Sequence, residues 1–448
     1  MKEGPIMEPI KKEHLDKLLK EVKKDKSLTV ARHALSKMDI YSIAHTQDNA
    51  KEMDFNFSLE VKTLSATNQK ASGRCWIFAA TNVLREMIAK ELNLADFELS
   101  QSYIAFYDKL EKLNLTLEII IELLDKDYDD RTLQFILKGG IGDGGQWDMF
   151  VNVVKKYGLC PKNVYGETFT SSSTRYINSL INCEMRKFAA ESRHAYEEGG
   201  MDKVRALKES YMDRFYKALV TCYGLPQEKF DFEYTDKDNK YHLEKGFTPM
   251  SFKEKYLGDR LNDFVSLINA PTKDKPFNKV YTVKYLGNVV GGKQVTHLNV
   301  EMKRMKQLIV QQLKDGQITW FGSDVGFYGD RNGGSWDDTR YDYLSLFDLD
   351  FKMDKGESLD YRAAQMNHAM VITGVALKNN NPTKWKIENS WGTDIAKGGY
   401  FIMSGSWFDQ FVFQAVIDKK YLDESELNAL KLKPIVLKPW DPMGSLAD

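Results

Sequence analysis

The sequence predicts an α+β protein, because helical periodicity dominates its front and short β-rich runs fill the stretch beyond residue 315. Leu15, Leu18, Leu19 and Val22 recur at helical spacing within a charged stretch. Trp76, Ile77, Ala80, Val83, Leu84, Met87 and Ile88 do so again from Cys75 onward. Against these stand residues 318–322, 369–375, 384–388, 399–403 and 411–417. Each is rich in β-branched and aromatic residues and bordered by Gly, Pro or Asn. With 448 residues, 42% of them hydrophobic, the chain can bury a core larger than that of one small domain.

Taken in order, residues 10–50 read as one or two charged amphipathic helices, followed by a polar approach to Asn68. A Gly-containing turn then delivers Cys75 to the start of its helix, where unpaired N–H groups and the positive end of the dipole favour a thiolate. Ser100 caps the next helix, and residues 115–124 are helical as well. Gly140, Gly142 and Gly145 formally satisfy G-x-G-x-x-G. A dinucleotide site would require residues 131–137 to be a buried strand and an acid such as Glu167 to meet a ribose. No train of alternating strands and helices surrounds the motif, so a glycine-rich turn entering a helix is the better reading. Residues 177–188 and 204–219 are long, charged and helical, and 236–240 and 270–274 are turn-rich connections. His194, His242 and His297 stand alone, without metal-ligand spacing, and no metal or organic cofactor is implied.

Composition narrows the partners. A formal net charge of -1 gives no global reason to bind nucleic acid or an anionic membrane. No run reaches the roughly 18 apolar residues of a membrane span, and the N-terminus carries charges where a signal peptide would be apolar. Cys75, Cys160, Cys183 and Cys222 are far apart and form no C-x-x-C pair, which fits reduced thiols in the cytoplasm. The sequons at Asn56 and Asn114 are then chance matches.

The chemistry rests on a constellation. A cysteine alone is more often a buried small hydrophobe than a nucleophile. His368, however, opens one β-rich run, and Asn389 closes the next, followed by Ser390-Trp391-Gly392. A thiol needs a base that takes its proton and returns it to a leaving amine, and histidine titrates in the right range. The imidazole needs a group that fixes its ring, and a neutral asparagine oxygen accepts its N–H. Gln69, six residues before Cys75, offers a side-chain N–H that, with the Cys75 backbone N–H, makes an oxyanion hole.

In these residues the chain resembles the papain superfamily of cysteine peptidases. Gln69, Gly73-Arg74-Cys75-Trp76, His368 and Asn389-Ser390-Trp391-Gly392 follow that family's order of oxyanion residue, nucleophile, base and orienting amide. Two departures narrow the resemblance. Ser72 stands where secreted members carry a cysteine, and 293 positions separate Cys75 from His368, against roughly 130–150 in compact members. Both fit the bleomycin hydrolase and aminopeptidase C group. Its hallmarks appear as Asn68-Gln69-Lys70-x-Ser72-Gly73-Arg74-Cys75-Trp76, Asp143-Gly144-Gly145-Gln146-Trp147-Asp148-Met149, Val289-Val290-Gly291-Gly292, Trp320-Phe321-Gly322 and Trp440-Asp441-Pro442-Met443-Gly444.

That resemblance implies a papain-like two-lobe core with a large helical insertion, assembled as a cytoplasmic homohexamer acting on peptides. The expected divisions are an N-terminal helical arm (1–60), a helical lobe with the nucleophile (61–170), the insertion (171–312), a β lobe with His368 and Asn389 (313–430), and a tail docked in the cleft (431–448). Trp76 and Trp391 support the site, Trp391 by shielding the His–Asn contact. The carboxylate of Asp448, or of Ala447 if the last residue is removed, would meet a substrate's α-ammonium and confine cleavage to the first peptide bond. The implied activity is a cysteine aminopeptidase. The alternatives are an endopeptidase of the same family, a hexameric scaffold with incidental hydrolysis, and an acyltransferase using the same Cys–His pair.

Overall fold

The computed structural model describes residues 7–46 and 53–445, which divide into two compact units. The smaller comprises residues 1–54 and 337–353. Its helices Lys12–Lys24, Lys26–Leu35 and Ile40–Ala44 are three where one or two were expected, with Asp25 and Asp39 accepting from the backbone N–H groups of Leu28 and Ser42 as N-caps. Within this unit, residues 44–46 are tied to residues 340–342 by backbone hydrogen bonds from Thr46 to Arg340 (2.8 Å) and from Asp342 to Ala44 (2.9 Å).

The larger unit, residues 55–336 and 354–448, is built on one mostly antiparallel sheet. From neighbour to neighbour its strands run Ile435–Leu437, Val280–Val283, His297–Asn299, Phe264–Ile268, Val412–Asp418, Thr319–Ser323, His368–Lys378, Asn381–Glu388, Tyr400–Ser404, Ser335–Trp336 and Gly329–Asp330. All five β-rich runs beyond residue 315 are therefore strands, each within a few residues of its expected bounds. The helix Cys75–Glu91 is buried along most of its length and shares a core with the helices Gln101–Glu122 and Trp147–Tyr157. A second core joins the sheet to the helices Met302–Lys314 and Gly405–Phe411. Helices and sheet thus meet along the Cys75 helix, which positions the candidate site.

Residues 131–137, which a dinucleotide site would need as a strand, lie in the helix Arg131–Gly139, capped by Asp130, in keeping with the preference for a glycine-rich turn. One expectation is corrected. The stretch 171–312 is not purely helical. Its long helix Arg175–Tyr223 breaks at Gly199 and Gly200, where a φ of 66° at Gly200 demands glycine. Beyond it come a hairpin, Phe230–Thr235 with Tyr241–Phe247, and three strands of the main sheet. The strand Phe264–Ile268 is buried at every position, so it lacks the alternation that marks a half-exposed strand.

Candidate active site

The turn before Cys75 is held by its own polar groups. Ser72 Oγ donates to the Gln69 carbonyl, and Gln69 Nε2 donates to the Ser72 carbonyl, both at 2.6 Å. Arg74, almost wholly buried, donates from Nε to Ser72 Oγ at 2.9 Å and bidentately to Glu167 at 3.1 and 3.0 Å. The Gly73 N–H donates to Asp143 Oδ2 at 3.0 Å, while Lys109 and Asn178 donate to Oδ1 at 2.9 and 3.0 Å and Thr174 to Oδ2. Burial alone would raise the Asp143 carboxyl, but Lys109 and these donors hold it well below the usual carboxylate range. Asp143 is therefore an ionised anchor beneath the turn.

Cys75 opens its helix with 1% of its surface exposed, and its Sγ accepts the Ala369 N–H at 3.4 Å. That contact sets the start of the strand His368–Lys378 against the thiol. His368 Nε2 donates to Asn389 Oδ1 at 2.9 Å, which leaves Nδ1 as the nitrogen free to exchange a proton. Register explains the pairing: Val371 lies opposite Glu388, so the beginning of one strand meets the end of the next. Trp391 lies against the imidazole, ring centroids 5.1 Å apart. The residue before His368 is fixed too, since Asn367 Nδ2 donates to Asp324 Oδ1 at 2.6 Å and accepts the Val325 N–H on Oδ1 at 2.9 Å.

Gln69 reaches the same edge. Its N–H donates to the Ser390 carbonyl at 2.8 Å, and Ser390 Oγ donates to Gln69 Oε1 at 2.6 Å. With Oε1 so occupied and one N–H given to Ser72, the second Nε2 hydrogen remains for a ligand. Trp76 turns into the core, donating from Nε1 to the Asp143 carbonyl at 2.6 Å and stacking where a Cβ on Gly145 would stand 2.4 Å from its ring. The glycine there is required by the tryptophan.

Burial dominates the protonation of the central pair. It pushes the Cys75 thiol up to about 12, against the N–H groups of Ala369, Trp76 and Cys75, and the His368 imidazole down to about 4, against its bond to Asn389. The helix terminus does pull toward the thiolate through its N–H groups. Desolvation outweighs it. A proton passing directly from thiol to imidazole leaves the pair net neutral in both forms, so burial opposes that exchange far less than it opposes either lone charge.

The tail follows the sheet edge and then returns. The strand Ile435–Leu437 pairs with Val280–Val283, the Arg131 guanidinium covers the Trp440 ring at 3.9 Å, and Arg362 donates to the Trp440 carbonyl at 2.6 Å. Ser445 Oγ then donates to the Met366 carbonyl at 3.0 Å, two residues from His368. Ala447 and Asp448 lie outside the described residues. The sequence reading missed Asp143, Asp324 and the Arg74–Glu167 pair as organisers of the site. Only Asp143, an acid inside a glycine run, carries a local signal. Among the described residues no group of His, Cys, Asp and Glu is placed to hold a metal ion, and no helix is long and apolar enough to cross a membrane.

The model of the Peptidase C1-like family matches residues 9–444. An aminopeptidase C of Lactobacillus delbrueckii subsp. lactis is 48% identical over 422 residues, which is 93% of this chain and 94% of that protein. Bleomycin hydrolase of Homo sapiens is 35% identical over 442 residues, 96% of this chain and 97% of that one. The crystal structure of PepW from Lactobacillus rhamnosis HN001 superposes with a TM-score of 0.96 at 44% identity, covering 98% and 99% of the two chains.

Proposed function

This chain belongs to the Peptidase C1-like family and is a cysteine aminopeptidase, and we propose that its chemistry runs through Cys75, His368 and Asn389. The observation that carries the assignment is the hydrogen bond from His368 Nε2 to Asn389 Oδ1, on the strand edge whose next amide meets Cys75 Sγ.

Cys75 Sγ attacks the carbonyl carbon of the first peptide bond as its proton passes to His368 Nδ1. The oxyanion that forms accepts from the Cys75 backbone N–H and from Gln69 Nε2. The carbon–nitrogen bond then breaks, and His368 gives its proton to the departing amine, leaving a thioester on Cys75. Water loses a proton to His368 and adds to the thioester, and cleavage of the carbon–sulfur bond returns that proton to the thiolate. Asn389 fixes the ring through each step, and Trp391 keeps water from the His–Asn contact.

Confinement to the first peptide bond is assigned to the tail. Ser445 Oγ already donates to the carbonyl of Met366, two residues before His368, and the carboxylate of Asp448, or of Ala447 after trimming, pairs with the substrate's α-ammonium. Cytoplasmic location and assembly as a homohexamer acting on peptides belong to the same proposal. Support comes from the four free cysteines and from the half-exposed Leu15 and Leu19 on the Lys12–Lys24 helix.

The test compares peptides with free and acetylated N-termini, before and after removal of residues 446–448. Cys75→Ser should abolish hydrolysis of both. Truncation should preserve thiol-dependent cleavage while admitting the acetylated peptide. Efficient internal cleavage of the acetylated peptide by the intact chain would instead favour an endopeptidase.

A further inference from the structure

Glu388 ends the strand that delivers Asn389, and its side chain is fully buried. Its Oε1 accepts from Arg85 Nη2 at 2.9 Å and from Asn82 Nδ2 at 2.7 Å. Asn82 and Arg85 are three apart on the Cys75 helix and so share one face of it. The same two side chains also hold the segment that leads to Gln69. Arg85 Nη2 donates to the Ser65 carbonyl at 2.8 Å, and Asn82 Nδ2 donates to Thr67 Oγ1 at 3.1 Å. The Thr67 carbonyl in turn accepts the Gly392 N–H at 2.9 Å, just beyond Trp391. Three segments are therefore tied together through one carboxylate and its two donors: the helix that begins with Cys75, the approach that carries Gln69, and the strand end that carries Asn389.

A buried ion pair gives little net stability against an apolar pair of equal volume, but its hydrogen-bond geometry admits few alternatives. We propose that Glu388 is a positioning residue for the peptidase reaction: clamped by Arg85 and Asn82, it sets Asn389, and through it the His368 ring, against the nucleophile helix. The proposal rests on the assignment of Asn389 as the orienting amide. It differs from a purely structural ion pair in one respect, because its effect on turnover must pass through Asn389.

The experiment measures kcat and KM of the full chain on an aminoacyl chromogenic amide for Glu388→Gln, Asn389→Ala and the double variant, with thermal melting of each. Glu388→Gln should lower kcat about ten-fold or more with KM within about two-fold, and should add no further loss to Asn389→Ala. If the two losses multiply, or if Glu388→Gln turns over at the wild-type rate, the proposal is overturned. Should Glu388→Gln fail to fold, Asn82→Ala, which removes one donor and keeps the Arg85–Glu388 pair, takes its place in the same comparison. Wild-type kcat in Asn389→Ala would instead overturn the assignment of Asn389 itself, so the two failures are distinct.

Discussion

The N–H of Ala369 meets Cys75 Sγ at 3.4 Å, joining residues 294 positions apart in the chain. The thiol is thus held by the backbone of the strand that presents His368. Under the proposed chemistry, replacing either proton-exchanging group removes the reaction, whereas replacing the group that orients one of them only slows it. Cys75→Ala and His368→Ala should lose at least about 1,000-fold in kcat, and Asn389→Ala roughly 100-fold. Active-site titration with a thiol alkylating agent, run beside steady-state kinetics, checks the order.

Gly145→Ala places a Cβ 2.4 Å from the Trp76 ring, and Trp76 is fixed by its bond to the Asp143 carbonyl. Neither partner can yield cheaply. The variant should lose about 1–3 kcal/mol of stability by overpacking, read from its denaturation midpoint, and kcat should fall with it because the displaced ring adjoins Cys75.

Glu167→Gln removes the carboxylate that pairs bidentately with the buried Arg74. A guanidinium left without its counter-ion in the interior costs about 3 kcal/mol, and the turn that places Cys75 loosens. Melting temperature and the alkylation rate of Cys75 should both change, and Arg74→Met with Glu167→Leu should recover the melting temperature better than the alkylation rate.

Trp440→Ala takes away the ring under Arg131 and so loosens the tail, though the backbone bond from Arg362 and the Ser445 tether stay. Discrimination between free and acetylated peptides should fall at least about ten-fold while thiol-dependent cleavage persists. Undiminished discrimination would count against the role given to the tail.

Burial holds the His297 imidazole down to about 4, with Asp148 pulling the other way, and its Nδ1 is bonded to Ser266 Oγ at 2.7 Å. A base whose folded pKa is depressed favours the fold above its unfolded value of 6.5 and loses that contribution as pH falls through about 4. The amount is on the order of 3 kcal/mol. His297→Gln should therefore flatten the decline of the melting temperature between pH 6.5 and 4.

Much of the site was legible because each group sits in a local context that a short window reveals. Cys75 opens an apolar-periodic helix, His368 opens a β-rich run and Asn389 closes another. The strand Phe264–Ile268 escaped because burial on both faces erases alternation. Asp324 and Glu388 escaped because an isolated acid reads as a surface residue until its partners are in place.

The sequence by itself determined the fold class and supplied the residues to which the chemistry is here assigned, since periodicity and residue type are local properties. Only the tertiary structure decided which carboxylates anchor the site and how far the thiol is desolvated. It also fixed that Arg85 and Glu388, three hundred positions apart, meet at 2.9 Å. Burial and long-range pairing depend on every segment that covers a group, and no short stretch of the chain contains them.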